Sequence, residues 1–302
     1  MANDPASINP KFVQKNEKYL LYYRELNSSL KHFKYLIAKE LNIDSEDIFI
    51  NTNASSALIT VLGAFNASGI NVISVNKYKN FSPYNDLFQE NFLSVSRTEK
   101  VYFITHLSPI TIDIDESHLH YKNEEYIVDA TQSVGTVLTD RIFSNNSISI
   151  FSLHKHFAIS NGLSIIILNK YFRSKYPKLL KYVTLFENGC ISLDTIHQAI
   201  REIKSQKIWN KAVIQNKDIE NNHLEISKNF QIYACNFPLP MISIKLNKSV
   251  DPKLIKNIEN AKYFKKENII RFSYSHLRSK NGKFVNMTHN FLKDLKGIKY
   301  DF

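Results

Sequence analysis

The sequence predicts an α/β protein: a three-layer sandwich around a mainly parallel central sheet, with a smaller α+β region toward the C-terminal end. Three observations carry that prediction. Short runs at Ile48–Asn51, Asn71–Val75, Val101–Thr105, Tyr126–Asp129, Ile148–Ser152 and Leu163–Leu168 are mainly apolar and rich in β-branched residues. That is the composition of strands buried on both faces. These runs alternate with stretches at helical spacing, which implies crossover connections and parallel pairing. Past residue 170 the alternation stops, and helical segments are followed by isolated strand-like runs.

Taken in order, residues 17–41 place Leu20, Tyr23, Leu26, Leu30, Phe33, Leu36 and Ile37 at intervals of three and four, one face of a helix. Asn42, Asp44 and Ser45 interrupt it before the strand ending at Asn51. Thr52-Asn53-Ala54-Ser55-Ser56-Ala57 then opens an apolar run from Leu58 to Phe65. Small hydroxyl and amide residues at such an opening are helix N-cap signals. A strand, a hydroxyl-bearing turn and a helix in succession make an anion site, because free N–H groups and the helix dipole point the same way. Gly69 ends this helix. Asn76–Tyr84 is aromatic and irregular, with Pro83 within it. Ser192–Ile203 has helical spacing and is entered from Asn188-Gly189-Cys190-Ile191. Further on, Gln231–Ala234, Met241–Leu246 and Ile269–Tyr274 suit strands, and Leu254–Ile258 a helix. The expected organisation is an N-terminal segment over 1–30 packing with the small domain, a large domain over 31–200, and a small domain over 201–302.

Composition narrows the class. The 302 residues, 43% hydrophobic with 20 Phe and 16 Tyr, are enough for a large core. Two cysteines, Cys190 and Cys235, offer neither a disulfide framework nor a metal spacing. The opening Met-Ala-Asn-Asp-Pro-Ala-Ser lacks the apolar stretch of a signal peptide, and no apolar run is long enough to span a bilayer. A cytoplasmic protein without a membrane partner is expected. The net charge of +11 comes from lysines scattered along the length rather than from a basic block. That suits a solvated surface better than a nucleic-acid footprint.

Two of the strand runs end in polar residues. Tyr126–Asp129 delivers Asp129 and then Gln132; Ile148–Ser152 delivers Ser152, His154 and Lys155. Ligands of open α/β sheets collect beyond the carboxyl ends of strands. A carboxylate at one such end and a lysine at the next suit an aromatic, cationic cofactor.

In this order the segments resemble the class V aminotransferase and cysteine-desulfurase-like group of fold-type-I pyridoxal-phosphate enzymes. Val128-Asp129-Ala130-Thr131-Gln132-Ser133-Val134-Gly135 resembles the group's Asp-Ala-x-Gln-x-x-Gly strand. Phe151-Ser152-Leu153-His154-Lys155 resembles its Ser-x-His-Lys segment. The resemblance implies that pyridoxal phosphate is linked to Lys155, the catalytic lysine, with Asp129 beside the ring nitrogen and Gln132 near the phenolic oxygen. A desolvated lysine is a competent nucleophile, and a carboxylate keeps the ring protonated as an electron sink. By the same resemblance Ala54 and Ser55 bind the phosphate from the turn that opens the helix, joined by Ser152 and His154. Asn188–Ser192 resembles a loop that reaches the phosphate of a neighbouring subunit, which implies a homodimer with sites at its interface and a contact from Ser192. Tyr78 or Phe81 is the candidate ring-stacking residue. Ile269-Ile270-Arg271-Phe272-Ser273 resembles the strand whose arginine holds the substrate carboxylate, a task for a bidentate guanidinium.

The implied function is a pyridoxal-phosphate-dependent transferase acting at the α-carbon of a small amino-acid substrate, most simply an aminotransferase. A lyase, cyclase or epimerase is the alternative. A non-catalytic basic scaffold or nucleic-acid-binding descendant of the fold is the alternative of another class. The chain departs from the group where Asn53 replaces a glycine, Cys190 a threonine and Pro109 an asparagine, and where Phe157–Gly162 keeps one glycine of a richer stretch. No cysteine lies between residues 236 and 270, so desulfurase activity is not expected. His118-x-His120 and His154-x-His156 each put two imidazoles on one face if they lie on strands, but neither has a third ligand at a metal-site spacing, and no metal is expected.

Overall fold

The computed structural model describes residues 10–75, 99–155, 159, 162–205, 224, 232–236, 239, 241–246 and 261–273; for 10–16, 188, 190 and 205 only the backbone is described. The first helix, α1 (Pro10–Leu41), buries Leu26, Leu30, Phe33 and Ile37 at alternating four- and three-residue steps. Leu20 and Tyr23, which fit the same spacing, are exposed. Thirty-two residues of helix span about 48 Å, and a strand of four to six residues covers less than half of that. The N-terminal part of α1 therefore overhangs the core. Asn42, in the left-handed region at φ 54°, ends the helix.

Six strands form the central sheet: β1 (Ile48–Asn51), β2 (Asn71–Ser74), β3 (Lys100–Thr105), β4 (Tyr126–Asp129), β5 (Ser147–Ser152) and β6 (Ser164–Ile167). Their order is β1-β6-β5-β4-β3-β2. The β2–β3, β3–β4 and β4–β5 pairs are parallel, whereas β6 runs antiparallel to both β5 and β1. The chain turns back between Leu153 and Leu163, whose N–H and carbonyl bond at 2.8 Å. That return is too short for a crossover helix, so the sheet is mixed rather than uniformly parallel at this edge.

Side chains alternate across the sheet with the strand period of two. Ile48, Ile50, Val128, Phe151, Ile165 and Ile167 face α1 and α6 (Leu193–Ser205), where they meet Phe33, Ile37, Ile196 and Ile203. Phe49, Phe103, Ile127, Ile148, Ile150 and Ile166 face the opposite way. They pack on α2 (Ala54–Ala67) and α5 (Pro177–Cys190), against Leu58, Val61, Phe65, Leu179 and Val183. Two further helices are short, α3 (Ser117–His120) and α4 (Lys170–Lys175). The result is an α/β three-layer sandwich, as its sequence predicts.

A second, antiparallel sheet has the order β7-β8-β10-β9, from β7 (Ile232–Cys235), β8 (Met241–Lys245), β9 (Ala261–Phe264) and β10 (Ile269–Ser273). Leu239 and Met241 pack against Leu107, Ile112 and Leu138. This contact sets the small sheet beside the chain that leaves β3. Leu254–Ile258 lies outside the described residues. Among the described residues no helix is long and apolar enough to cross a membrane.

Candidate active site at the ends of β4 and β5

The alternation that builds the core also aims the polar residues at the strand ends. Ile127 of β4 and Ile150 of β5 point toward α2, so Asp129 and Ser152, each two residues further on, share that side. The opening turn of α2 lies on this side as well. Asn51, at the end of β1, is buried and donates from Nδ2 to Thr60 Oγ1 of α2 at 3.3 Å. Asn53 caps α2, its side-chain oxygen accepting from Ser56 N at 2.8 Å. The cap thus falls on Asn53, and Ser55 stands exposed in the first turn beside Ala54.

Asp129 accepts the amide of Thr131 at 3.0 Å. Burial pushes its carboxyl above the ordinary range, and the bonds from Thr131 offset only part of that. No cation pairs with it among the described residues. The turn that follows closes through Gly135, whose φ of 89° suits glycine. Near this point several polar atoms are buried without a hydrogen-bond partner among the described residues: Gln132 Oε1, Ser152 Oγ and His154 Nδ1. Such atoms are costly to leave unmade. Burial, then the neighbouring Lys155, lowers the basicity of His154.

Lys155 is partly buried, and its pKa is pulled down to about 8, chiefly by burial and then by repulsion from Arg271 and Lys262. Arg271 projects from β10 and is only 5% exposed. Its Nη1 donates to the carbonyl of Pro109 at 3.3 Å, while Nε has no partner among the described residues. Burial lowers even this guanidinium to about 10. The contact with Pro109 brings the small sheet over the carboxyl ends of the central strands and sets Arg271 close enough to repel Lys155. Asp129, Gln132, Ser152, His154, Lys155 and Arg271, expected from the sequence to act together, thus lie around one end of the sheet.

Other expectations meet a different local structure. Asn188–Cys190 form the last turn of α5 rather than a loop, leaving Ile191 and Ser192 to join two helices. Pro177 at the first position starts α5 cleanly, and the amphipathic pattern carries it through Gly189. Ser192 is exposed and acts as a helix cap, accepting from Thr195 N at 3.3 Å. His118 and His120 stand on α3, where residues two apart diverge, so they do not share a strand face. His154 follows β5 in a turn, while His156, Tyr78 and Phe81 lie outside the described residues.

Two residues escape the sequence reading. Lys262 is carried by β9, a strand hidden in the Lys-rich stretch before Ile269, and only its pairing with Arg271 brings it to the site. His106, at the end of β3, is fully buried; burial and His118 hold its pKa near 3, so it is neutral. Its Nδ1 lies 2.7 Å from Ser133 Oγ and anchors the turn that carries Gln132.

Solved structures share this fold. Ureidoglycine-glyoxylate aminotransferase from Bacillus subtilis superposes with a TM-score of 0.65 at 10% identity, covering 98% of this chain and 92% of its own. A cysteine desulfurase from Thermococcus onnurineus gives 0.63 at 13% identity, covering 98% and 93%. L-threonine-O-3-phosphate decarboxylase from Porphyromonas gingivalis gives 0.59 at 12%, covering 90% and 89%. The fold is therefore that of the fold-type-I pyridoxal-phosphate enzymes. Comparison with curated protein sequences finds no match. The model of DUF6024, described as a family of unknown function, matches residues 3–300.

Proposed function

We propose that this chain, which belongs to the DUF6024 family, is a pyridoxal-phosphate-dependent enzyme acting at the α-carbon of an amino acid. The reading rests on one observation above all. A buried carboxylate and a lysine of depressed pKa stand at the ends of adjacent strands, and neither has a counter-ion among the described residues. The residues present fit the cofactor. Its protonated ring suits Asp129, and its oxygens suit the unpartnered polar atoms of Gln132, Ser152 and His154. The phosphate suits the N–H groups of Ala54 and Ser55 and the Ser55 hydroxyl at the opening of α2. When bound, the cofactor supplies an electron sink that stabilises a carbanion at the substrate's α-carbon.

The chain's own residues do the rest. Arg271 orients the substrate by gripping its carboxylate with parallel donors. Lys155, with a pKa near 8, keeps roughly a tenth of its amine free at pH 7, far more than an ordinary lysine, so its Nζ serves first as nucleophile and then as general base at the α-carbon. Gln132 is held in place through the His106–Ser133 bond next to it. Burial of Asp129 strengthens its attraction for a cationic ring. We assign the chain to the class V aminotransferase-like group on the Asp-Ala-Thr-Gln and Ser-Leu-His-Lys segments. Amino transfer is the reaction proposed, with elimination, epimerisation or cyclisation as alternatives on the same residues. A homodimer with sites at the subunit interface completes the proposal.

The purified protein tests it directly. Added pyridoxal phosphate should give a yellow species that borohydride fixes onto the chain at Lys155, and Lys155→Ala should abolish the fixation. A protein that takes up no cofactor refutes the proposal.

A further inference from the structure

We infer that Lys262 and Arg271 form a two-cation seat, and that the substrate therefore carries a second anionic group besides its α-carboxylate. The inference rests on the function proposed above. Lys262 and Arg271 are Cα partners across the antiparallel β9–β10 pair, so their side chains leave the sheet on one face, next to each other. Both cations lie near the Phe264 ring, Lys262 Nζ at 5.2 Å and Arg271 Cζ at 6.0 Å from its centre. Like charges directly opposite in a sheet repel, yet no carboxylate pairs with either residue among the described ones. Burial, then Arg271, lowers the pKa of Lys262, and Lys262 in turn acts on Lys155.

Charge counting then separates substrate classes. One α-carboxylate balances Arg271 and leaves Lys262 unmatched against a second positive charge. A dicarboxylic amino acid, or one with a phosphorylated side chain, balances both. Arg271 is buried and Lys262 exposed. The carboxylate shared by all amino acids accordingly goes inward to Arg271, and the distinguishing anion meets Lys262 nearer the solvent.

Calorimetry on the protein as purified, with succinate and the length-matched butyrate, tests this without catalysis. Succinate should bind at least about tenfold more tightly. Lys262→Met should reduce succinate to the butyrate level and leave butyrate unchanged. 3-Phosphonopropionate distinguishes a phosphate-like second anion from a carboxylate by which dianion binds more tightly. Equal affinity for succinate and butyrate, or a preference that survives Lys262→Met, overturns the inference. A Lys262 variant that loses pyridoxal phosphate while keeping its succinate preference also overturns it. The two readings fail separately: a Lys262-dependent succinate preference without cofactor uptake upholds the seat and removes the cofactor, and cofactor uptake without the preference does the reverse.

Discussion

Reductive methylation at pH 7 should mark Lys155 ahead of the surface lysines, and removing Arg271 should take most of that lead away. With a pKa of about 8, roughly a tenth of the Lys155 amine is free at pH 7, against about one part in three thousand at the ordinary 10.5. The population advantage is therefore on the order of three-hundredfold. A weaker base is also a weaker nucleophile, and the partly buried position slows access, so an observed lead of about tenfold is the working expectation. Burial is the largest cause of the depressed value, followed by Arg271 and then Lys262. Arg271→Gln should move the reactivity midpoint upward but short of 10.5, because burial remains. Lys262→Met should move it the same way by less. The assay is formaldehyde with cyanoborohydride across pH 6–10, quantified at each lysine by peptide mass spectrometry, with circular dichroism checking that each variant is folded. A midpoint at or above 10 in the unmodified protein, or a downward move in Arg271→Gln, refutes the reasoning.

The same lysine makes stability depend on pH. Its folded pKa lies below the unfolded value, so the unfolded chain binds more protons between about 8 and 10.5. The cofactor-free protein should gain stability from Lys155 as pH rises through that window, and the gain should vanish in Lys155→Met, read from urea midpoints at pH 7.5 and 10. Asp129→Asn removes a buried acid that ionises only against its burial while keeping an acceptor for the Thr131 amide. It should raise the melting temperature of the cofactor-free protein by about 2 °C while weakening pyridoxal phosphate binding; a fall in both sinks the proposed role. Ser152 Oγ has no partner among the described residues, so Ser152→Ala should leave the cofactor-free melting temperature unchanged or slightly higher and weaken cofactor binding in fluorescence titrations. Asn53→Ala removes the cap on Ser56 N and should cost about 1 kcal/mol in chemical denaturation.

The central sheet was legible because its buried strands are rich in β-branched and aromatic residues and carry charge only at their ends. Tyr126–Asp129 stands out for that reason, and in Ser147–Ser152 the polar positions are small serines that bury among the apolar residues. The direction of β6 was not legible, since Ser164–Ile167 has the same composition whichever way it runs. Only the short return from Leu153 sets it antiparallel. The site followed the same division. Asp129 and Lys155 were readable because each directly ends an apolar strand or follows one closely. Lys262 was hidden because β9, with Lys262 exposed and its other residues only partly buried, has too weak an alternation to mark it as a strand. The segment before Ser192 misled because Asn-Gly-Cys signals a loop in isolation, whereas α5 is held by the packing of Leu179 and Val183 on the sheet and runs past the glycine.

The charges at this end of the sheet have a common remedy. Asp129 is a buried carboxyl without a cation, while Lys155, Lys262 and Arg271 are basic groups without a carboxylate among the described residues. Pairing Asp129 with one of these cations would satisfy part of both, yet the fold places Asp129 on the α2 side of β4 and sets Arg271 and Lys262 on the small sheet. A folded protein stabilised for its own sake gains nothing from holding such groups apart, because each unpaired buried charge costs stability. The arrangement makes sense if a ligand is built with the complementary separation, a cationic ring at one end and anionic groups toward the other. Binding should then stabilise the fold strongly, since it relieves the desolvated carboxylate and the repelling cations together. The melting-temperature gain from pyridoxal phosphate plus a dicarboxylate should fall short of the sum of the gains from each alone, because the cofactor takes up Lys155 and leaves the dicarboxylate two neighbouring cations instead of three. Strictly additive gains would mean that the two halves of the site act independently and would remove the argument for a single site.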